Sequence, residues 1–313
     1  MIFYIFRRLT AGLVLALVIL LIVFMLISNS FEDTARAILG QSATPEATAD
    51  LMEERGWTRP IVVQYAEWLA LAVQGDLGQS VFTSLSVLPE VLSRLAVTLS
   101  LIVPALLLTA VLSVLLGVWA ASRGGAVDRI AQLISVAGHV MPGLLIAIAL
   151  VVVFGVQLGW LPATGYVRFG DDPVGWARSL IMPVIVLVIP GVANMAAHVR
   201  GKMIDELNKD YVRTLRSRGL SPRKVVLKYA LRNAGSPALT VMSLEFIQMF
   251  GAALVIENVF ALPGFGSYAF NASLQGDIPV ILGIAVFGVV LVTVVHLATD
   301  IVNGWLNPKA RVH

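Results

Sequence analysis

The sequence predicts an all-α, polytopic membrane protein with six transmembrane helices. Three observations carry that prediction. Of 313 residues, 58% are hydrophobic and 13% charged, so a water-soluble fold would lack the polar surface to cover itself. Six runs are apolar and long enough to cross a hydrocarbon core, which takes about 20 residues per helix. Basic residues crowd the segments between alternate runs. The same composition excludes a cytosolic globular enzyme and a disordered chain, and the absence of cysteine excludes a disulfide scaffold. The basic balance does not point to nucleic acid, because the Lys and Arg residues flank apolar runs.

The first run, residues 9–27, is uncharged and follows Arg7 and Arg8. It reads as a retained span and not a cleaved signal, since no small-residue cleavage site follows closely. The later runs are 95–122, containing Pro104, and 130–158, interrupted by His139, Pro142 and Gly143. Then come 179–199 with Pro183, Pro190 and Gly191, 238–256 with Glu245, and 278–302 with His296 and Asp300 at its end. Six spans put both termini on one side. With a cytoplasmic N-terminus, sixteen of the 22 Lys and Arg residues lie inside, which predicts that both termini are cytoplasmic.

Two segments outside the spans are longer than turns. Residues 28–94 carry nine acidic residues against four Arg and are expected to be extracytoplasmic. A helix begins there at Thr44 and Pro45, a cap followed by proline at the first helical position. A second, amphipathic stretch over 60–73 places Tyr65, Trp68 and Leu69 on one side, and the glycine-rich QGDLGQS (74–80) ends it. The cytoplasmic segment 198–237 holds ten basic and three acidic residues, a net charge of +7. Within it a helix is expected over 203–218, broken by Gly219. Ser221 as cap and Pro222 at the first position restart a helix expected to reach Leu231. A helix–glycine–helix hairpin of this kind presents a short helix for docking.

DYVRTLRSRGLSPRKVVLKYALRNAGSPALT (210–240) resembles the cytoplasmic loop of the membrane-spanning subunits of binding-protein-dependent ABC importers. There the loop is called the EAA motif, and its short helix enters a groove of the ATPase subunit. Its details, and the stretches 7–26, 64–80 and 257–280, are similar to the dipeptide/oligopeptide/nickel permease branch. The chain departs from the superfamily where Glu-Ala-Ala falls on Arg213, Thr214 and Leu215. It departs from the branch where a C-terminal Asp-Pro-Arg reads Asn307, Pro308, Lys309.

The resemblance implies an ABC importer type I permease fold in a bacterial inner membrane. It implies an N-terminal span with an extracytoplasmic helical segment over 1–94, a permease core over 95–307 and a cytoplasmic tail over 308–313. The implied partners are a second homologous permease subunit, two ABC ATPase subunits and an extracytoplasmic substrate-binding protein. ATP and magnesium would bind the ATPase subunits, with no catalytic residue, cofactor or metal on this chain. Peptides are the default substrate, with nickel, opines, glutathione-like molecules and oligosaccharides open. Tyr211, Arg213, Gly219, Ser221, Pro222, Lys224, Val225 and Tyr229 would form the ATPase-coupling site.

The residues themselves agree that energy comes from elsewhere: no G-x-x-x-x-G-K-[ST] phosphate loop occurs. Candidate pathway residues are Glu245, Glu257, Pro263 and Gly264. A mid-span carboxylate is costly and marks a pathway or a hydrogen bond between helices, and both readings stand for Glu245. The rival reading is a proton-coupled secondary carrier or intramembrane enzyme using His296, Asp300 and Glu245. His296 and Asp300 are four apart on one helix face, which equally suits an interfacial pair.

Overall fold

The computed structural model describes residues 2–306, without the side chains of 2–6, 8, 235–239 and 303–306. Asn307 and the tail 308–313 lie outside the described residues. The chain divides into two compact units, Met1–Val97 with Pro263–Leu297, and Thr98–Leu262 with Ala298–His313. Every regular element described is helical. Among the described residues five helices are long and apolar enough to span a membrane, and a sharply bent pair makes a sixth if it counts as one span.

The first unit opens with α1 (Ile2–Ser28) and α2 (Phe31–Leu39). In α3 (Pro45–Glu54), Thr44 caps as the sequence predicts: its hydroxyl accepts from the Ala47 amide at 3.2 Å, with Pro45 at the first position. α4 (Ile61–Val73) matches the expected second stretch. Phe24, Phe31, Ile278 and Leu282 form a buried cluster, lined by Trp57, Tyr65 and Trp68. Aromatic rings in edge and stacked contact hold it together: Phe24 on Tyr65 at 5.7 Å and Phe31 on Trp57 at 5.1 Å.

The second unit is built on long helices packed closely through small residues. α5 (Val87–Arg123) contains Pro104 and contributes to both units. α6 (Gly125–Val140) and α7 (Gly143–Leu150), which continues as the π-helical Val151–Gln157, meet at 90°. The sequence expects one kinked span here and the structure shows a right-angled break. Pro142 offers no amide and pushes Met141 to an extended ψ of 120°, so no helical bond bridges the corner. α8 (Pro173–Leu207) packs against α6 and α7. A Cβ on Gly117 would meet Val199 at 2.8 Å, and one on Gly138 would meet Ala193 at 2.9 Å. Glycine thus sets the helix separation at both crossings.

After α8 come α9 (Asp210–Ser217), α10 (Pro222–Lys224) and the π-helical Val225–Ala230, which runs straight into α11 (Leu231–Val259). Two expectations are corrected here. The helix predicted over 203–218 is broken at Asn208 and Lys209, where Lys209 is extended with ψ 151°. The helix restarted at Pro222 does not stop at Leu231, because Ala230 keeps helical angles and nothing in LRNA breaks the chain. The chain closes with α12 (Phe265–Gln275) and α13 (Ile278–Leu306).

Candidate functional site

The turn between α9 and α10 is set by hydrogen bonds that only a left-handed residue can close. α9 ends with the Gly219 amide on the Arg216 carbonyl at 3.0 Å and the Leu220 amide on the Leu215 carbonyl at 3.2 Å. That double closure needs positive φ at the residue between, and Gly219 has φ +80°. A Cβ there would meet nothing within 4 Å, so the demand is on the backbone alone. Ser221 stands at the next N-cap with Pro222 behind it, but its hydroxyl makes no capping bond. It is a cap by position only.

A polar tie fixes the hairpin's base. Tyr211 Oη donates to Glu206 Oε2 at 3.0 Å and accepts from Asn233 Nδ2 at 3.3 Å. Lys209 Nζ also bonds Glu206. One residue from the end of α8, one from the start of α9 and one from the start of α11 are therefore joined. Burial, with the Glu206 carboxylate as a further cause, holds the Tyr211 phenol above its ordinary pKa. Beneath the tie, Val212 and Val225 are fully buried, and Met203, Ala230 and Ala234 form one apolar cluster.

The eight hairpin candidates thus divide by placement. Arg213, Gly219, Ser221, Pro222 and Lys224 are exposed, Tyr211 and Tyr229 half-buried, and Val225 buried. Arg213 pairs with its helix neighbour Asp210 at 3.6 Å, both largely exposed. Leu227, not among the eight, is 59% exposed between Val226 and Lys228.

The carboxylate candidates are buried and bonded. Glu245 on α11 accepts from Asn194 Nδ2 on α8 at 2.9 Å. A Cβ on Gly191 would lie 2.9 Å from Glu245 Oε1 and 3.0 Å from Thr109 Oγ1, so three helices converge there. The Thr109 and Ser113 hydroxyls are buried and find no hydrogen-bond partner among the described residues. Glu257, wholly buried, accepts from Thr98. Pro263 is exposed and Gly264 buried, at the start of α12. A third buried carboxylate went unnoticed in the sequence: Asp277 accepts from Ser80 Oγ at 2.5 Å and from the Val81 amide at 3.3 Å. It ties the QGDLGQS loop to the start of α13. His296 and Asp300 sit one turn apart on α13, and no group of three or more His, Cys, Asp or Glu able to hold a metal occurs among the described residues.

Comparison with known proteins draws these features together. The chain is 34% identical to a probable peptide ABC transporter permease, y4tP, of Sinorhizobium fredii, over 98% of this chain and 99% of the relative. It is 30% identical to the oligopeptide transport system permease AppB of Bacillus subtilis, and 32% identical to the glutathione transport system permease GsiC of Escherichia coli, each over 98% of both chains. The fold is similar to a chain of the inward-facing MetNI methionine ABC transporter, with TM-score 0.56, 15% identity, and coverage of 69% of this chain and 96% of that one. Residues 1–102 match the N-terminal model for binding-protein-dependent transport system membrane components. With residues 113–312 matching the model of the main body, the chain belongs to the binding-protein-dependent transport system inner membrane components, the permease subunits of ABC importers.

Proposed function

We propose that the chain forms the translocation pathway of an ATP-driven importer of short peptides and that an ATPase subunit grips its hairpin. Membership of the family already makes it a membrane transport subunit and not an enzyme, working with separate ATPase and substrate-binding partners. The observation that carries the peptide reading is identity of 30–35% over nearly the whole chain to permeases named for peptides. Two ATPase subunits holding ATP and magnesium, a second homologous permease and both termini in the cytoplasm complete the assembly. Residues 1–94 then act as span and extracytoplasmic segment, 95–307 as permease core and 308–313 as cytoplasmic tail.

The hairpin suits a grip because it is rigid and offers contacts. Its base is tied through Glu206, Tyr211 and Asn233, while Arg213, Ser221, Lys224 and Leu227 are exposed. The continuous backbone from Pro222 into α11 would pass a push on the hairpin along a membrane helix. Pathway lining by Glu245, Glu257, Pro263 and Gly264 belongs to the same proposal. Glu245 and Glu257 are held by Asn194 and Thr98, so they would face substrate only when those helices part.

The test is uptake by the full assembly in vesicles, using labelled dipeptide and tripeptide with nickel ion as competitor. Accumulation that requires ATP and the binding protein, and is indifferent to nickel, is expected. Uptake driven by a pH gradient without ATP would overturn the energy source, and ATP-driven uptake of nickel alone would overturn the substrate.

A further inference from the structure

α4 is apolar on the face that nothing in its unit covers. Its packed side carries Gln64, Tyr65 and Trp68, and its open side carries Val62, Val63, Ala66, Ala70 and Val73. Val62 is 68% exposed and Val73 82%. A helix lying in water shows polar residues on its open face. α3, in the same segment, does so with Glu46, Asp50, Glu53 and Glu54 exposed. The one charge on α4, Glu67, is already engaged by both terminal nitrogens of Arg59, at 2.9 and 2.6 Å.

Depth supplies the second observation. Tyr65 Oη donates to the Leu17 carbonyl at 2.9 Å. Leu17 lies in the span Leu9–Ser28, eleven positions before its end. At about 1.5 Å per residue that is about 16 Å down the helix axis, near the middle of a core about 30 Å thick. The backbone of Tyr65 stands one side chain's length from that carbonyl, and Tyr65 and Trp68 both pack on Phe24, well inside the same span. α4 therefore lies beside α1 at membrane depth. α1 likewise exposes apolar side chains along its length, among them Val18, Ile22 and Leu26.

We infer that α4 is embedded in the membrane leaflet nearer Ser28, with Val62, Val63 and Val73 against lipid acyl chains. A helix of 13 residues is too short to cross, so it enters and leaves on one side and anchors the α2–α4 segment to the bilayer.

The chain has no cysteine, which makes single spin labels straightforward. Val62→Cys and Val73→Cys are labelled in the complete assembly in phospholipid vesicles, with any cysteines of the partner subunits replaced. Leu26→Cys on α1 serves as lipid reference and Ala49→Cys on α3 as water reference. Collision with oxygen is compared with collision with a water-soluble nickel chelate. The two α4 labels are expected to match Leu26, with an oxygen-to-nickel ratio several-fold above that of Ala49. Labels that match Ala49 would place the face in water. Labels shielded from both reagents would place it under a partner protein. Either result overturns the assignment.

Discussion

The ends of α9 and α11 close with the same hydrogen-bond pattern and different residues. At α9, the pair of bonds brackets Gly219 at φ +80°. At α11, the Ala261 amide bonds the Asn258 carbonyl at 3.4 Å and the Leu262 amide bonds the Glu257 carbonyl at 2.8 Å. The residue taking positive φ there is Ala261, at +50°. Glycine meets that geometry without steric conflict, whereas a side chain costs roughly 1–2 kcal/mol. The turn at Gly219 is relaxed and exposed. The turn at Ala261 is strained and held by its neighbours, with Phe260 and Leu262 buried and the Phe260 carbonyl accepting from Gly165 at 2.8 Å. The comparison separates a turn that keeps its shape by residue choice from one that keeps it by packing. Strain of the second kind concentrates at functional sites, and Ala261 lies two positions before Pro263, the first of the candidate pathway residues Pro263 and Gly264.

The largest effect is expected from exchanging the relaxed residue for one that cannot adopt the conformation. Gly219→Val keeps every charge of the hairpin and meets open space. It adds the left-handed penalty, roughly 1–2 kcal/mol for a residue with Cβ, with further crowding from its branch. The base tied through Tyr211 should survive, while α9 and α10 change their relative angle. In the reconstituted assembly, ATP hydrolysis should lose its dependence on binding protein and uptake should fall at least tenfold, with normal membrane insertion. Gly219→Asn, which tolerates positive φ, should recover most of the uptake. Full coupling in the Val variant would show that the angle carries nothing.

The converse exchange is expected to be smaller and of opposite sign. Ala261→Gly removes roughly 1–2 kcal/mol of native strain and restores about 0.4–1 kcal/mol of unfolded-chain entropy. The difference is a net gain of up to about 1.6 kcal/mol. Thermal unfolding of the purified assembly should rise by roughly 1–3 °C. If the strain serves the pathway, uptake should fall despite the gain in stability. A lower unfolding temperature would mean that the alanine methyl makes packing worth more than the strain.

The two turns also mark what could be read ahead. Gly219 and the Thr44 cap were legible because their signals are local: a glycine or a cap residue in the right place names the backbone it needs. Apolar length located the helices crossing the membrane for the same reason. Ala261 was illegible because alanine signals helix and not left-handed backbone, and the pattern around it forces the angle from outside. Asp277 was missed because its partners, Ser80 and Val81, lie almost two hundred positions away. The tie among Glu206, Tyr211 and Asn233 joins three helix ends that no periodicity connects. Pro142 announced a break and could not announce its 90° angle. For α4 the sequence gives the width of an apolar face and not its depth, which the bond from Tyr65 to the Leu17 carbonyl adds.

The smallest effect is expected from Lys224→Gln, and its smallness sharpens the meaning of Gly219. Lys224 is exposed at the last position of α10, and no salt bridge involving it is seen among the described residues. Removing such a charge changes stability by less than about 0.5 kcal/mol. If the hairpin acted only through charge, as part of a segment 198–237 of net charge +7, losing one unit from its tip would weaken ATPase binding measurably, and more so at low salt, where exposed charges are least screened. If it acts through shape, binding should change by less than about twofold, because an exposed ion pair is worth roughly 0–1 kcal/mol and the hairpin keeps its angle. The measurement is ATPase-subunit affinity for the permease at two ionic strengths, with Gly219→Val beside it. Charge reading predicts a salt-dependent loss for Lys224→Gln and none for Gly219→Val. Shape reading predicts the reverse order, and the two variants cannot both support it if Lys224→Gln proves the more damaging.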